Sequence, residues 1–266
     1  METLRLYLKL VRISMKSRMQ YRADFIVGVL GIVFINAASL GSLSVVVTRF
    51  TNLHGWSVWE MIFLYNLFLA GHSIFSLLFW HFTSMEQYIV KGTFDQFLIR
   101  PLSPLVQLLG REVQYLGIGD VLVAISGMGL AYHYLDLHWG LAQFAYLIMV
   151  IISSALIETA IFWMFACIAF WSGKSQSTFW VIWEVSTMVQ QYPIDLFGKW
   201  FRVLVTGLIP MAFMNFYPSI YLLGKQSAYP QYDWILFAPP FVALALLGVA
   251  YTIWRFALNR YMSSGN

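Results

Sequence analysis

Residues 25–47 read FIVGVLGIVFINAASLGSLSVVV, 23 positions without a charge and with a single amide, Asn36, near the middle. About 20 predominantly apolar residues in a helix cross the hydrocarbon core of a bilayer, so this stretch predicts a transmembrane span. The same pattern recurs at 58–82, with Glu60 at its start and His72 midway, at 112–134 around Asp120, and at 141–171, with Glu158 near its centre. A fifth span is expected over 178–193, holding Glu184 and meeting Pro193 as it leaves the membrane. A last one is expected over 234–257, opening with Pro239 and Pro240. Between these two, 195–233 is apolar enough to hide a span but is broken by Gly198, Gly207, Pro210, Pro218, Gly224 and Pro230. Short broken helices re-entering one face fit that composition, since irregular backbone is tolerated at membrane depth where other protein covers it. The expected fold is an all-α integral membrane protein of six spans, and the even count puts both termini on one side.

Composition agrees. The chain is 60% hydrophobic, 18% aromatic and 11% charged, against about 25% charged in soluble domains. With 16 Lys and Arg and 12 Asp and Glu, it cannot dress the surface of a soluble globule of 266 residues. A soluble enzyme is excluded, and so is disorder, which requires low hydrophobicity and high charge. The 11 Trp and 15 Tyr suit two membrane interfaces, where amphipathic rings collect. The single cysteine, Cys167, lies among Phe165, Ala166 and Ile168, so it forms no intramolecular disulfide and reads as packing.

The position of the cations matters more than their number. Arg5, Lys9, Arg12 and Lys16 recur on one helix face, with Leu6, Leu10 and Ile13 on one flank and Leu4, Leu8, Val11 and Met15 on the other. Residues 1–22 therefore read as an interfacial helix on an anionic cytoplasmic leaflet. A signal peptide fits less well, because the following apolar run exceeds the h-region length of about 7–15 residues. A nucleic-acid-binding arm fits poorly too, since apolar residues interleave the charges. With six spans, twelve Lys and Arg fall on the side of the N-terminus and four on the other, which puts both termini in the cytoplasm.

No enzyme chemistry is spelled out. Gly173-Lys174-Ser175 is a chance tripeptide, because a P-loop needs a glycine where Ile168 stands. A zinc-protease helix, a nucleophile elbow and a dinucleotide turn are also missing. None of His54, His72, His81, His133 and His138 pairs with another His or with Cys at the spacing of a metal helix.

The intramembrane carboxylates carry more information, since a charge at the centre of a span costs about 2.5–3.5 kcal/mol and must face protein or water. Glu158 and Glu184 either line a path for a cationic or amphipathic substrate, or hydrogen-bond between helices or pack in protonated form. Asp120, closer to a span end, can snorkel or pair. Asn36 and His72 join the substrate-path candidates, with interhelical hydrogen bonding as their plainer role.

Between the second and third spans, 86–104 contains Val90, Phe94, Phe97 and Leu98 at helical spacing, with Lys91, Asp95 and Arg100 as polar points and Gly92 between them. Pro101 and Pro104 stop that helix before the next span. Such a helix can lie on lipid, or it can dock in a cleft of a cytoplasmic partner.

The stretch Lys91-Gly92-Thr93-Phe94-Asp95…Leu98-Ile99-Arg100-Pro101-Leu102-Ser103, together with Tyr192-Pro193-Ile194-Asp195-Leu196-Phe197 and Ile209-Pro210-Met211-Ala212-Phe213-Met214-Asn215-Phe216-Tyr217-Pro218, resembles the permease subunit of ABC-2-type ABC transporters. Within that family it looks like the viologen or multidrug exporter branch, and the resemblance spans essentially the whole chain. It implies a six-span permease that dimerises with a second copy or a paralogous permease and carries substrate, hydrophobic or cationic, between the copies. Residues 1–22 would be the connecting elbow helix and 197–230 the extracellular re-entrant segment. Val90, Gly92, Phe94, Asp95, Phe97 and Arg100 would belong to the coupling helix that meets the ATPase. ATP and Mg would bind only on that partner, in the cytoplasmic membrane of a bacterium. The rival is a proton-coupled secondary transporter using Glu158, Asp120 or Glu184 without an ATPase, but no internal repeat supports it.

Overall fold

The computed structural model of the chain describes residues 21–49, 55–110 and 114–261. The interfacial helix expected over 1–22 lies outside the described residues, apart from Tyr21 and Arg22. The described residues are helical almost throughout, with no strand among them. α1 (Arg22–Arg49) and α2 (Val58–Phe79) are followed by a 3₁₀ turn, Trp80–Ser84, and by three short helices, α3 (Met85–Val90), α4 (Asp95–Leu98) and α5 (Pro104–Leu109). Then come α6 (Gly117–Tyr134), α7 (Leu141–Ala166), α8 (Ala169–Ser172), α9 (Gln176–Gln191), α10 (Lys199–Val203), α11 (Phe216–Leu222) and α12 (Pro239–Arg260).

α2 is the centre of the bundle. It starts from a capping box: Ser57 Oγ accepts from the Glu60 amide at 3.3 Å, and Glu60 Oε2 accepts from the Ser57 amide at 2.7 Å. α6 and α7 pack along α2, α1 along α6, and α12 along α7. Without a hydrophobic gain from leaving water, helices in lipid associate by close packing of small residues. Gly71 of α2 shows it: a Cβ there would stand 2.4 Å from Ser154 Cβ of α7, so the two backbones touch only because Gly71 has no side chain. α1 turns Val29, Asn36, Leu43 and Val47 inward and leaves Ile26, Val27, Leu30 and Phe34 exposed, a face suited to lipid.

Among the described residues, four helical runs are long and apolar enough to cross a membrane: Arg22–Arg49, Val58–Val90, Leu141–Ser172 and Pro239–Arg260. Lys199–Leu208 and Met211–Leu222 make a fifth if the pair, bent by 78°, is one span. α6, 18 residues long with Asp120 inside it, and α9, only 16 residues long, fall short of that measure. Within the spans expected at 112–134 and 178–193 the helices are α6 and α9, of 18 and 16 residues, each with an exposed apolar face that includes Leu122 and Ile125 on α6 and Trp180 and Val181 on α9.

The broken stretch is broken as its prolines and glycines predict. A π-helical turn over Leu204–Leu208 and a 3₁₀ turn over Met211–Phe213 separate α10 from α11. Its middle is core: Met211, Ala212, Met214, Phe216 and Ile220 are fully buried, so other protein covers this irregular backbone. The last helix begins at Pro239 and not at 234. Pro239 and Pro240 lack amide hydrogens and fit only the first turn, so 230–235 forms a separate 3₁₀ helix.

Residues 86–104 do not form one amphipathic helix. The chain turns at Gly92, whose φ of +65° is left-handed and open to glycine without strain. α3 and α4 are therefore two pieces, with Phe94 carried inward between them.

Candidate functional site

Three polar stripes meet inside the bundle. On α2, Tyr65, Phe68, His72 and Ser76 recur three or four residues apart and so share one face. On α1, Ile32, Asn36 and Ser39 do the same, and on α9 so do Trp183, Ser186, Thr187 and Gln190. With Asp120 from α6 and Glu158 from α7 they line a partly open cavity of about 380 Å³, within the range of small-molecule sites.

Two hydrogen-bonded groups set its chemistry. His72 Nδ1 lies 2.7 Å from Glu158 Oε1, and the Glu158 side chain is 1% exposed. The other carboxylate oxygen, Oε2, is buried and has no hydrogen-bond partner among the described residues. Beside them, Tyr65 donates its hydroxyl hydrogen to Asn36 Oδ1 at 2.7 Å, and Asn36 Nδ2 donates to Asp120 Oδ1 at 2.9 Å. Aromatic rings surround the imidazole: Trp183 meets it edge-on at 5.6 Å, Phe68 stacks at 6.4 Å, and Trp80 meets Trp183 at 5.8 Å.

Two carboxyl groups, Asp120 and Glu158, and one imidazole line the cavity, so its acids outnumber its bases. In a low-dielectric setting an ionised carboxylate is costly unless a cation or hydrogen-bond donors face it. Trp183, Trp80 and Phe68 give the same cavity an aromatic lining. Among the described residues, no group of three His, Cys, Asp or Glu is placed to hold a metal ion.

Asn36, His72 and Glu158, nominated by their depth in the sequence, come together here, and Asp120 joins them. Glu184 does not. It lies exposed on another face of α9, with Trp180, Val181 and Met188. Tyr65 and Trp183 were not singled out by sequence, although the recurrence of Tyr65, His72 and Ser76 and of Trp183, Thr187 and Gln190 was the available signal.

The segment 86–104 sits at one end of the bundle. Phe94 is fully buried and Phe97 nearly so, Phe94 against Phe170 at 5.1 Å, Tyr261 at 5.1 Å and Trp254 at 6.1 Å. Tyr261 donates to Asp95 Oδ1 at 2.8 Å, and burial, then the Asp95 carboxylate, push the phenol up to about 12. These side chains fasten the segment to the bundle and leave its free face to others: Val90, Leu98 and Ile99 are exposed, Ile99 at 83%, flanked by the exposed Lys91 and Arg100.

At the opposite end, Trp56 Nε1 donates to Asp195 Oδ2 at 3.2 Å and Tyr229 donates to the same oxygen. Lys225 Nζ pairs with Glu60 Oε1 at 2.8 Å and lies over the Trp56 ring. These contacts tie the start of α2 to the ends of α9 and α11.

Compared with known families, residues 33–265 match the profile described as ABC-2 family transporter protein. No curated protein and no solved structure matches the chain.

Proposed function

We infer, from the premise that this chain belongs to the ABC-2 family of transporter proteins, that it is the permease subunit of an ATP-driven exporter for hydrophobic or cationic small molecules. Family membership makes it a multi-pass transmembrane component of an ABC transporter, working with an ABC ATPase and not as the ATPase. Beyond that, our reading has six spans, both termini in the cytoplasm and the cytoplasmic membrane of a bacterium as its location. In this reading 86–104 is the coupling segment and 197–230 the extracellular re-entrant segment. A second copy or a paralogous permease completes the pair, and ATP and Mg bind on the ATPase alone.

The observation that carries the substrate class is Glu158, a fully buried acid among the residues that line the cavity, with one carboxylate oxygen unpartnered among the described residues. A cation entering from the cytoplasmic side takes that oxygen as counter-ion and the Trp183 and Phe68 rings as walls. ATP-driven closure of the ATPase dimer moves the coupling segments, the helices around the cavity rearrange, and the cation is released outward.

The test is ATP-dependent uptake of ethidium, a hydrophobic cation, into inside-out vesicles holding the chain with its ATPase. Saturable uptake that a neutral analogue fails to inhibit is expected. Equal transport of neutral and anionic compounds of the same size would overturn the substrate class.

A further inference from the structure

α9 has no side-chain cap of its own. Ser175 occupies its N-cap position, yet its hydroxyl makes no capping bond. The cap comes from 89 residues earlier in the chain: Glu86 Oε2, on α3, accepts from the amides of Ser175 and Gln176, both at 2.6 Å. A carboxylate at a helix N-terminus meets both unpaired amides and the positive end of the helix dipole, and its hydrogen bonds are charge-assisted. Five residues before Ser175, Phe170 rests against Phe94 of the same segment at 5.1 Å. The segment thus grips the approach to α9 at two points.

The rest of α9 is the cavity wall that holds Trp183, Ser186, Thr187 and Gln190. Trp183 is seven residues beyond Gln176, about 10 Å along a stiff helix at 1.5 Å per residue. Beyond the far end of α9, Asp195 is bound to Trp56 and Tyr229. One end of the helix is therefore fixed to the start of α2, and the other is held by a carboxylate on the segment that we read as facing the ATPase.

We propose that Glu86 is the positioning residue that makes α9 move with the coupling segment, so that an ATP-driven shift of the segment reaches Trp183 and changes the cavity. The proposal rests on the permease reading above. It differs from a purely structural cap in one respect: the cap must come from the segment and not from α9 itself.

That difference is testable in the complex with the ATPase. A fluorophore on Met188→Cys, on the exposed face of α9 and with the buried Cys167 replaced by Ala, reports ATP-dependent movement of the helix. Glu86→Ala should reduce the ATP-dependent signal by about tenfold, and Glu86→Asp should restore at least half of the signal. The double variant Glu86→Ala/Ser175→Asp supplies a local carboxylate cap. It should recover hydrogen-exchange protection in the first turn of α9 but not the ATP-dependent signal. Recovery of the signal in the double variant, or a wild-type signal in Glu86→Ala, would overturn the proposal. Absence of any ATP-dependent signal in the wild-type complex would bring down the permease reading itself.

Discussion

The imidazole of His72 and the carboxylate of Glu158, 86 residues apart in sequence, meet at 2.7 Å across the contact between α2 and α7. The contact is close because Gly71, next to His72, lets the two helices touch. It places an acid inside the bundle with one oxygen paired and one unpaired, the electrostatic centre of the cavity.

Replacing Glu158 by Gln keeps the shape and removes the charge. Ethidium affinity, read by quenching of tryptophan fluorescence in detergent, should fall about tenfold or more, equivalent to about 1.4 kcal/mol. Expression and thermal stability should stay close to wild type. Unchanged affinity would reduce Glu158 to a packing role.

At the helix contact, Gly71→Ala drives a methyl group into Ser154 and should destabilise the chain by about 1–3 kcal/mol. Ser154→Gly removes the obstructing Cβ, so the double variant Gly71→Ala/Ser154→Gly should recover part of that loss. Thermal unfolding in one detergent, compared across the three variants, decides it. Strict additivity of the two single effects would show that the two positions do not press on each other.

The free and buried faces of 86–104 predict opposite phenotypes. Ile99→Asp should leave thermal stability unchanged and lower the ATPase recovered with the chain on the order of tenfold, since it puts a charge on an exposed apolar patch. Phe94→Asp should destabilise the chain by on the order of 3 kcal/mol, because it buries a charge among Phe170, Trp254 and Tyr261. Full ATPase recovery with Ile99→Asp would move the docking surface elsewhere.

The Tyr261–Asp95 bond has a pH signature. Folding raises the phenol from 10 to about 12, so its contribution to stability is complete below pH about 10 and is lost as pH rises through about 12. The tyrosinate absorbance of the wild type minus that of Tyr261→Phe should therefore titrate near 12. A difference titrating at 10 would mean that Tyr261 is free of Asp95.

Four long helices, at 22–49, 58–90, 141–172 and 239–260, were legible from apolar run length, and Asn36, His72 and Glu158 from their depth within those runs. Their convergence was not legible, because it depends on how α1, α2 and α7 are rotated against one another. Glu184 carried the same signal as Glu158 yet faces away from the cavity. Successive helix residues differ by about 100°, so Trp183 can face inward while Glu184 does not, and only the polar stripe of Ser186, Thr187 and Gln190 marked the inner face. Phe94 and Phe97 looked like a docking face from their spacing. Their partners Phe170, Trp254 and Tyr261 are far along the chain, and the left-handed turn at Gly92 ends the helix on which that spacing relied. Glu86 was silent in sequence for a similar reason: the helix that it caps begins 90 residues later.

The central claim is tested most directly by affinity purification of the chain from its native host in mild detergent, with every co-purifying protein identified and quantified. Recovery of an ABC ATPase in stoichiometric amount is the predicted result, and a second permease beside it would make the transporter heteromeric. Recovery of the chain alone across several detergents would contradict the account and favour a transporter working without an ATPase, with His72, Asp120 and Glu158 as its proton-carrying groups.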